Sequence, residues 1–179
     1  MKVMTQKGFA HTRMDDIVHE TGLSKGALYH HYEGKKDILL ALIDHWETQT
    51  FPDFYSRNGQ DKRATDIFRN FAGEILKVYK NRQYVFLAEV EFWALASQDD
   101  EVRDRSQELY EKILNLFELV INKGIREGQF KDVNTRIMAI YILTVFQGIN
   151  WFCIFKDEKA KAKDYISEAI ELVIQGLEK

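Results

Sequence analysis

Proline occurs once in this chain, at position 52. Because proline lacks an amide donor and clashes with the preceding turn, its near absence leaves the chain free to form long helices. Apolar residues return at three- and four-residue intervals, the period of a helix with one buried face. Ala64, Ile67, Phe68, Phe71, Ala72, Ile75, Leu76 and Tyr79 keep that period. Ala162, Tyr165, Ile166, Ala169, Ile170, Val173, Ile174 and Leu177 repeat it at the C-terminal end. No alternating strand pattern competes, so the expected fold class is all-α.

Between these two stripes the pattern varies. Ile38, Leu39, Leu42, Ile43 and Trp46 form one stripe, after which Phe51, Pro52 and the polar residues from 56 to 61 are expected as a loop. Residues 84–96 are apolar nearly all round except for Glu89 and Glu91, as in a central helix. Positions two apart diverge by about 200°, so one of the two carboxylates is expected to face inward. A long helix is expected over 101–127, with Val102, Leu109, Ile113, Leu116, Phe117, Val120 and Ile121 inside and Gly128 as its stop. Asn134 is placed to cap a further helix that holds the apolar run 138–155. That run is long enough to invite a membrane reading, but Thr144, Gln147 and Asn150 put a polar line along it that lipid would leave unsatisfied. No membrane partner is expected.

Residues 12–36 have a different character. Thr12 and Asp15 have the spacing of a capping box, Met14, Ile17 and Val18 give a short stripe, and Gly22 can end that helix in the left-handed conformation. Ser24 then caps a second helix that is expected to bury Ala27, Leu28 and Tyr32. Lys25, Gly26, Tyr29 and His30 are left to the outside. Lysine neutralises phosphate, tyrosine and histidine donate to phosphates or base edges, and glycine permits close approach. Two helices about a glycine-containing turn, the second polar outward, form the helix-turn-helix arrangement that places a recognition helix in the major groove. His30 and His31 diverge by about 100°, so one is expected outside and one packed, and no metal site follows.

Charge makes any such contact local. The formal net charge is −3. Residues 1–45 hold six basic and six acidic side chains together with all five histidines. One cysteine excludes an internal disulfide and a cysteine zinc site. The cysteine count fits a reducing cytoplasm, and residues 1–4 run into polar sequence with no signal pattern. No Gly-x-Ser-x-Gly, phosphate loop, dinucleotide motif or His-Glu-x-x-His is present, so neither an enzyme nor a cofactor is expected.

Lys7, Gly8, Phe9, Thr12, Asp16, Ile17, the run Gly-Leu-Ser-Lys-Gly-Ala-Leu-Tyr-His-His-Tyr at 22–32, and Lys35 resemble the DNA-binding signature of the tetracycline-repressor (TetR) family. The resemblance implies an N-terminal helix-turn-helix DNA-binding domain with a linker helix, at 1–46, followed by a helical ligand-binding and dimerisation domain at 47–179. Relatives have several helical turns before Lys-Gly-Phe, whereas six residues precede it here, so the expectation is either that the natural chain begins upstream and Met1 is an internal methionine, or that a leading segment was lost. The implied function is a ligand-responsive, sequence-specific transcriptional regulator, a repressor released from a palindromic double-stranded DNA operator by a small-molecule effector. The alternative is a helical small-molecule binding protein that no longer reads DNA. By resemblance, Thr12, Arg13, Ser24, Tyr29 and Lys35 lie on the phosphate side, and Lys25, Gly26, Ala27 and His30 meet base edges.

For the effector, aromatic residues taken singly are most often core. Taken as a set, Phe68, Phe71, Phe86, Trp93, Phe117, Tyr141 and Trp151 are compatible with an apolar pocket, with Glu89 and Gln147 among its polar groups. Apolar residues on all sides of 138–155 need cover on two faces. A homodimer supplies it if this helix and the last one form a four-helix bundle with their two-fold mates, through Ile149, Phe152, Ile166, Ile170 and Val173. Burial within one subunit is the other way to cover them.

Overall fold

The computed structural model describes residues 1–50, 62–155 and 159–179, with side chains to position 46 in the first segment. The loop expected around Phe51, Pro52 and 56–61 lies outside the described residues. Among those described there are ten helices and a single isolated β-bridge, between Phe130 and Glu178. The helices are α1 (Lys2–Lys7), α2 (Met14–Thr21), α3 (Lys25–His31), α4 (Lys35–Thr50), α5 (Ala64–Asn81), α6 (Tyr84–Ala96), α7 (Asp100–Arg126), α8 (Thr135–Gln147), α9 (Ile149–Ile154) and α10 (Ala162–Leu177). Compactness divides the chain into two units, one of Met1–Gln49 with Tyr84–Leu109 and one of Thr50–Gln83 with Tyr110–Lys179.

In the first unit the helix-turn-helix pair does not cover its own inner face. Met4 of α1, Leu39 of α4, and Ala88 and Phe92 of α6 are all buried and surround one small void together with Phe9. Trp46 is also buried, and its indole N–H donates to the Val85 carbonyl at 2.8 Å, which fixes α4 to α6 by a bond that has no water to compete with. At the surface, the Lys36 ammonium sits 2.8 Å from both Asp99 and Glu101, and Arg105 reaches Asp44 at 3.0 Å.

The second unit is built on an aromatic cluster. Phe71 packs edge to face on Phe117 and Phe146 at centroid distances of 5.1 and 4.5 Å, and Phe68 meets Phe117 at 6.2 Å and Phe130 at 6.4 Å. Such pairs add about 0.5–1.5 kcal/mol each beyond the area they bury. The cluster is closed at the end of α7, where Gly128 takes a left-handed conformation, φ 72°, and Phe130 returns its amide to the Gly124 carbonyl at 3.0 Å. Lys131 then donates to Leu177 O at 2.8 Å, tying this turn to the end of α10. α10 lies against α5, α8 and α9, and its stripe of Ile166, Ile170, Val173, Ile174 and Leu177 is buried inside this unit.

Two expectations change here. The apolar run 138–155 is not one straight helix, because α8 and α9 meet at Gly148. The Tyr165 hydroxyl donates at 2.7 Å to Val145 O, the carbonyl that the Ile149 amide would take in an uninterrupted helix. It also lies so close to Gly148 that any Cβ there would overlap it. The span Thr135–Ile154 is long and apolar enough to cross a membrane by length and composition, yet Ala139, Ile142, Leu143, Phe146 and Ile149 are buried in this unit. The second change concerns the expected dimer contacts. Ile149, Ile166, Ile170 and Val173 are covered within one chain, and Phe152 is half-buried against Tyr165. The large apolar residues that face outward among the described residues of this unit are Leu119 on α7, Ile137, Tyr141, Trp151, Ile154 and Phe155 along and just past α8 and α9, and Leu172 on α10.

Gly124 tests the aromatic closure. A Cβ there would overlap the fully buried Phe130 ring, whereas one at Gly176 would meet nothing within 4 Å. Gly124→Ala should destabilise the protein by about 1–3 kcal/mol, and Gly176→Ala should be neutral or stabilising by about 0.5–1 kcal/mol, both read from urea midpoints.

Candidate nucleic-acid interface

The interface is built outward from Leu28, the one buried residue of the seven-residue α3. Gly22 ends α2 with φ 69° and returns its amide to Val18 O at 3.0 Å, a conformation that favours glycine. Two residues later the Ser24 hydroxyl accepts the Ala27 amide at 3.1 Å and opens α3. With the helix held at its start and through Leu28, Lys25, Gly26, Ala27, Tyr29, His30 and His31 all face solvent. Ala27 is therefore not packed inside. The two histidine rings are 4.9 Å apart edge to face, and neither is buried. The inner side of α3 is narrower than its composition indicates: Leu28, with Tyr32 half-buried just beyond the helix.

The cap of α2 falls one residue later than expected. Arg13 occupies the cap position, and its amide is accepted by the Asp16 carboxylate at 2.9 Å. The Lys7 ammonium, 2.6 Å away, and that amide hold Asp16 below the usual carboxylate range. The cap therefore persists at any pH above the ordinary carboxylate titration and is lost only as acid carries the group through its lowered pKa. Asp15 instead reaches Lys25 at 2.7 Å across the surface, which raises the lysine pKa.

Two expected phosphate contacts have other work. Thr12 is 1% exposed and donates its hydroxyl to Gly8 O at 2.8 Å, closing the turn before α2. Lys35 donates to the Phe9 and Ala10 carbonyls at 2.9 and 3.0 Å and lies 4.7 Å from the Phe9 ring centroid. From the other side Glu91 accepts the Phe9 amide at 3.2 Å. The 8–12 turn is thus held from α4 and α6, a pair of contacts over 26 and 82 residues of sequence that no local motif announces. Arg13 remains exposed.

The expected effector set does not assemble into one described site. Phe68, Phe71 and Phe117 fill the second unit's core ring against ring, so they leave no space between them. Tyr141 and Trp151 point outward, at 54% and 66% exposure, and Gln147 is half-buried. Phe86, Glu89 and Trp93 belong to the first unit, where Phe86 is buried, Glu89 half-buried and Trp93 exposed. A cavity of about 750 Å³ does exist in the second unit, but other residues line it, among them Leu76, Tyr79 and Lys80 of α5, Phe152 of α9, and Phe155.

Lys35→Ala tests the turn. Hydrogen bonds from a charged donor contribute about 1.5–3 kcal/mol, so with this side chain half-exposed the variant should lose about 1–2 kcal/mol in urea unfolding. Unchanged stability would return Lys35 to a purely DNA-facing role.

With this geometry in place, two family profiles match the chain. "Bacterial regulatory proteins, tetR family" covers residues 1–42, and "QacR-like protein, C-terminal region" covers 56–179. The fatty acid metabolism regulator protein of Bacillus subtilis (strain 168) is 21% identical over 186 residues, covering 99% of this chain and 91% of its own length. Among solved structures, the transcriptional regulator FadR from Bacillus subtilis in complex with stearoyl-CoA superposes with a TM-score of 0.83 at 17% identity, over 98% of this chain and 94% of that one. A transcriptional regulator from Saccharomonospora viridis in complex with choline gives a TM-score of 0.82 at 15% identity, over 99% and 92%. These likenesses give the fold, and the profiles, one of which spans well over half of the chain, give the family. The chain belongs to the TetR family of bacterial regulatory proteins and is a ligand-responsive, DNA-binding transcriptional regulator with an N-terminal helix-turn-helix.

Proposed function

We propose that this protein is a homodimeric, cytoplasmic repressor, and not an enzyme, that binds a palindromic operator through α3 and is released by a small molecule. Residues 1–46 form the DNA-reading domain and 47–179 the effector and dimerisation domain. The observation that carries the reading is the outward face of α3. Lys25, Gly26, Ala27, Tyr29 and His30 are exposed together on a short helix whose single anchor, Leu28, points the other way. Lys25, Gly26, Ala27 and His30 read base edges, and Arg13, Ser24 and Tyr29 lie on the phosphate side. Thr12 and Lys35 act indirectly, by shaping the turn that carries Arg13.

The dimer reading rests on the residues that remain uncovered. Ile137, Tyr141 and Trp151 follow one another along α8 and α9, with Phe155 just past α9, and Leu172 is exposed on α10. Apolar patches of this kind on a soluble chain commonly mark a protein interface. A two-fold axis would bring each such face onto its own copy. Two copies of α3 then enter successive major grooves about 34 to 36 Å apart, or a multiple of that spacing. An effector that binds another arrangement better shifts the population away from it, by no more than its differential affinity. The relatives' ligands, a fatty acyl thioester in one case and a quaternary ammonium in the other, are too different to choose an effector class for this chain.

Selection of bound DNA from a random double-stranded pool at physiological salt should enrich one palindrome. Lys25→Ala and His30→Ala should change the preferred bases, at about 1–3 kcal/mol per lost contact. Asp15→Asn, which removes a carboxylate 2.7 Å from Lys25, should tighten binding to all sequences by removing a charge that repels phosphate, and should leave the preferred bases unchanged. Enrichment of no sequence by the wild-type chain would favour a binding protein that no longer reads DNA.

A further inference from the structure

The cavity of the second unit is a groove with a definite chemistry. Gly73, Leu76, Lys77 and Lys80 line it from one face of α5, over about 10 Å of helix axis, and Gln83 lines it just beyond the end of that helix. Phe152 and Phe155 form part of the opposite wall, and Ala160, Lys161, Ala162 and Lys163 close it at the start of α10. Tyr79 contributes its ring and donates its hydroxyl to Phe152 O at 3.3 Å. Burial pushes that phenol's pKa up, so it stays neutral. Four lysines and no carboxylate are among the described lining residues. Lys77 is already paired with Glu74 at 2.6 Å, so Lys80, Lys161 and Lys163 carry the uncompensated charge of the lining.

We propose that this groove binds an anionic amphiphile, a linear acyl chain ending in a carboxylate or phosphate-bearing head. The chain lies along α5 against Leu76, Tyr79, Phe152 and Phe155, and the head meets Lys80, Lys161 and Lys163. The volume of about 750 Å³ suits a ligand much larger than its charged head alone. Among the described lining residues the wall between the lysines is mainly apolar and aromatic, and none of them is a carboxylate that would hold a cation. A quaternary ammonium finds aromatic faces here but also a ring of like charge that opposes it. The lysines keep their charged ends in water while their stems extend the apolar wall. That this ligand is also the effector rests on the regulator reading above; the groove's preference for it does not.

The test is calorimetric titration of the full chain with dodecanoate, lauroyl-CoA, dodecanol and dodecyltrimethylammonium. The anions should bind one per chain and at least about tenfold more tightly than the ammonium of equal chain length. Shortening the chain should weaken binding roughly fourfold per methylene removed. Preference for dodecanoate over lauroyl-CoA identifies a free carboxylate, and the reverse identifies a phosphate-bearing head. Gly73→Leu, at a position where a Cβ meets nothing within 4 Å, should weaken all four ligands without loss of stability. The double variant Lys80→Glu with Lys161→Glu, both exposed, should weaken dodecanoate by roughly fivefold or more and bring the ammonium level with it or ahead.

Equal or tighter binding of the ammonium by the wild-type chain would overturn the proposal. So would no binding of either anion, or dodecanoate affinity unmoved by the charge reversal. The same samples are assayed for DNA binding. Anion binding with no change in DNA affinity upholds the groove and removes its effector role. DNA release by an anion whose affinity ignores both variants places the effector site elsewhere and overturns the groove.

Discussion

A seven-residue helix has no stability of its own in water, since nucleation alone outweighs the few bonds it can form. Everything the outward face of α3 can do therefore depends on what holds that helix in place. Leu28 is the only side chain it buries. The remaining restraint is supplied at its ends. Gly22 turns the chain, Ser24 takes the first free amide, and the Tyr32 amide returns to Leu28 O at 3.1 Å. Ahead of α2, the 8–12 turn is fixed by Lys35 from α4 and Glu91 from α6. The economy of this arrangement leaves nearly the whole surface of α3 free to differ between operators without costing the fold.

The second unit solves a different problem. Its apolar residues are too many for one stripe per helix, and interlocking rings absorb the surplus. Phe71 stands between Phe117 and Phe146, while Phe130 folds back over Gly124, where a Cβ would overlap its ring. Phe68, Phe71 and Phe117 meet ring against ring there and are fully or almost fully buried. The open volume lies instead on the flank of α5, where the helix's lysines and the aromatic residues of α9 and its end face one another. The groove takes its aromatic wall from Tyr79, Phe152 and Phe155, outside the packed cluster of Phe68, Phe71, Phe117 and Phe146, so aromatic content by itself does not separate a cavity wall from a core.

That distinction explains which features were legible in the sequence. Helical period, the Ser24 and Asn134 caps, and the left-handed glycines at 22 and 128 all follow from local rules, and the structure carries each of them. The helix-turn-helix was likewise legible, because its signals lie within a few residues of one another. Long-range contacts were not. Nothing near Lys35 announces that its ammonium caps the carbonyls of Phe9 and Ala10, and Thr12 looks like an available hydroxyl until Gly8 is seen to accept it. Composition also misled on the pocket and the interface, since an aromatic or aliphatic residue serves equally well in a core, a cavity wall or a subunit contact. Only the fold separates buried Ile166 and Ile170 from exposed Tyr141 and Trp151. The break at Gly148 depends on Tyr165, seventeen residues on, and so escapes any local pattern.

The central claim is that α3 reads DNA from the major groove as one of a symmetric pair. Methylation protection of guanine N7 on the selected operator tests it most directly, because that atom is exposed only in the major groove. The account predicts two protected patches related by a dyad, with centres about one helical turn apart or a multiple of it. Replacing Leu28 with alanine, which removes the anchor of α3, should abolish both patches together. Protection confined to a single patch, or binding that leaves every N7 reactive, would contradict it.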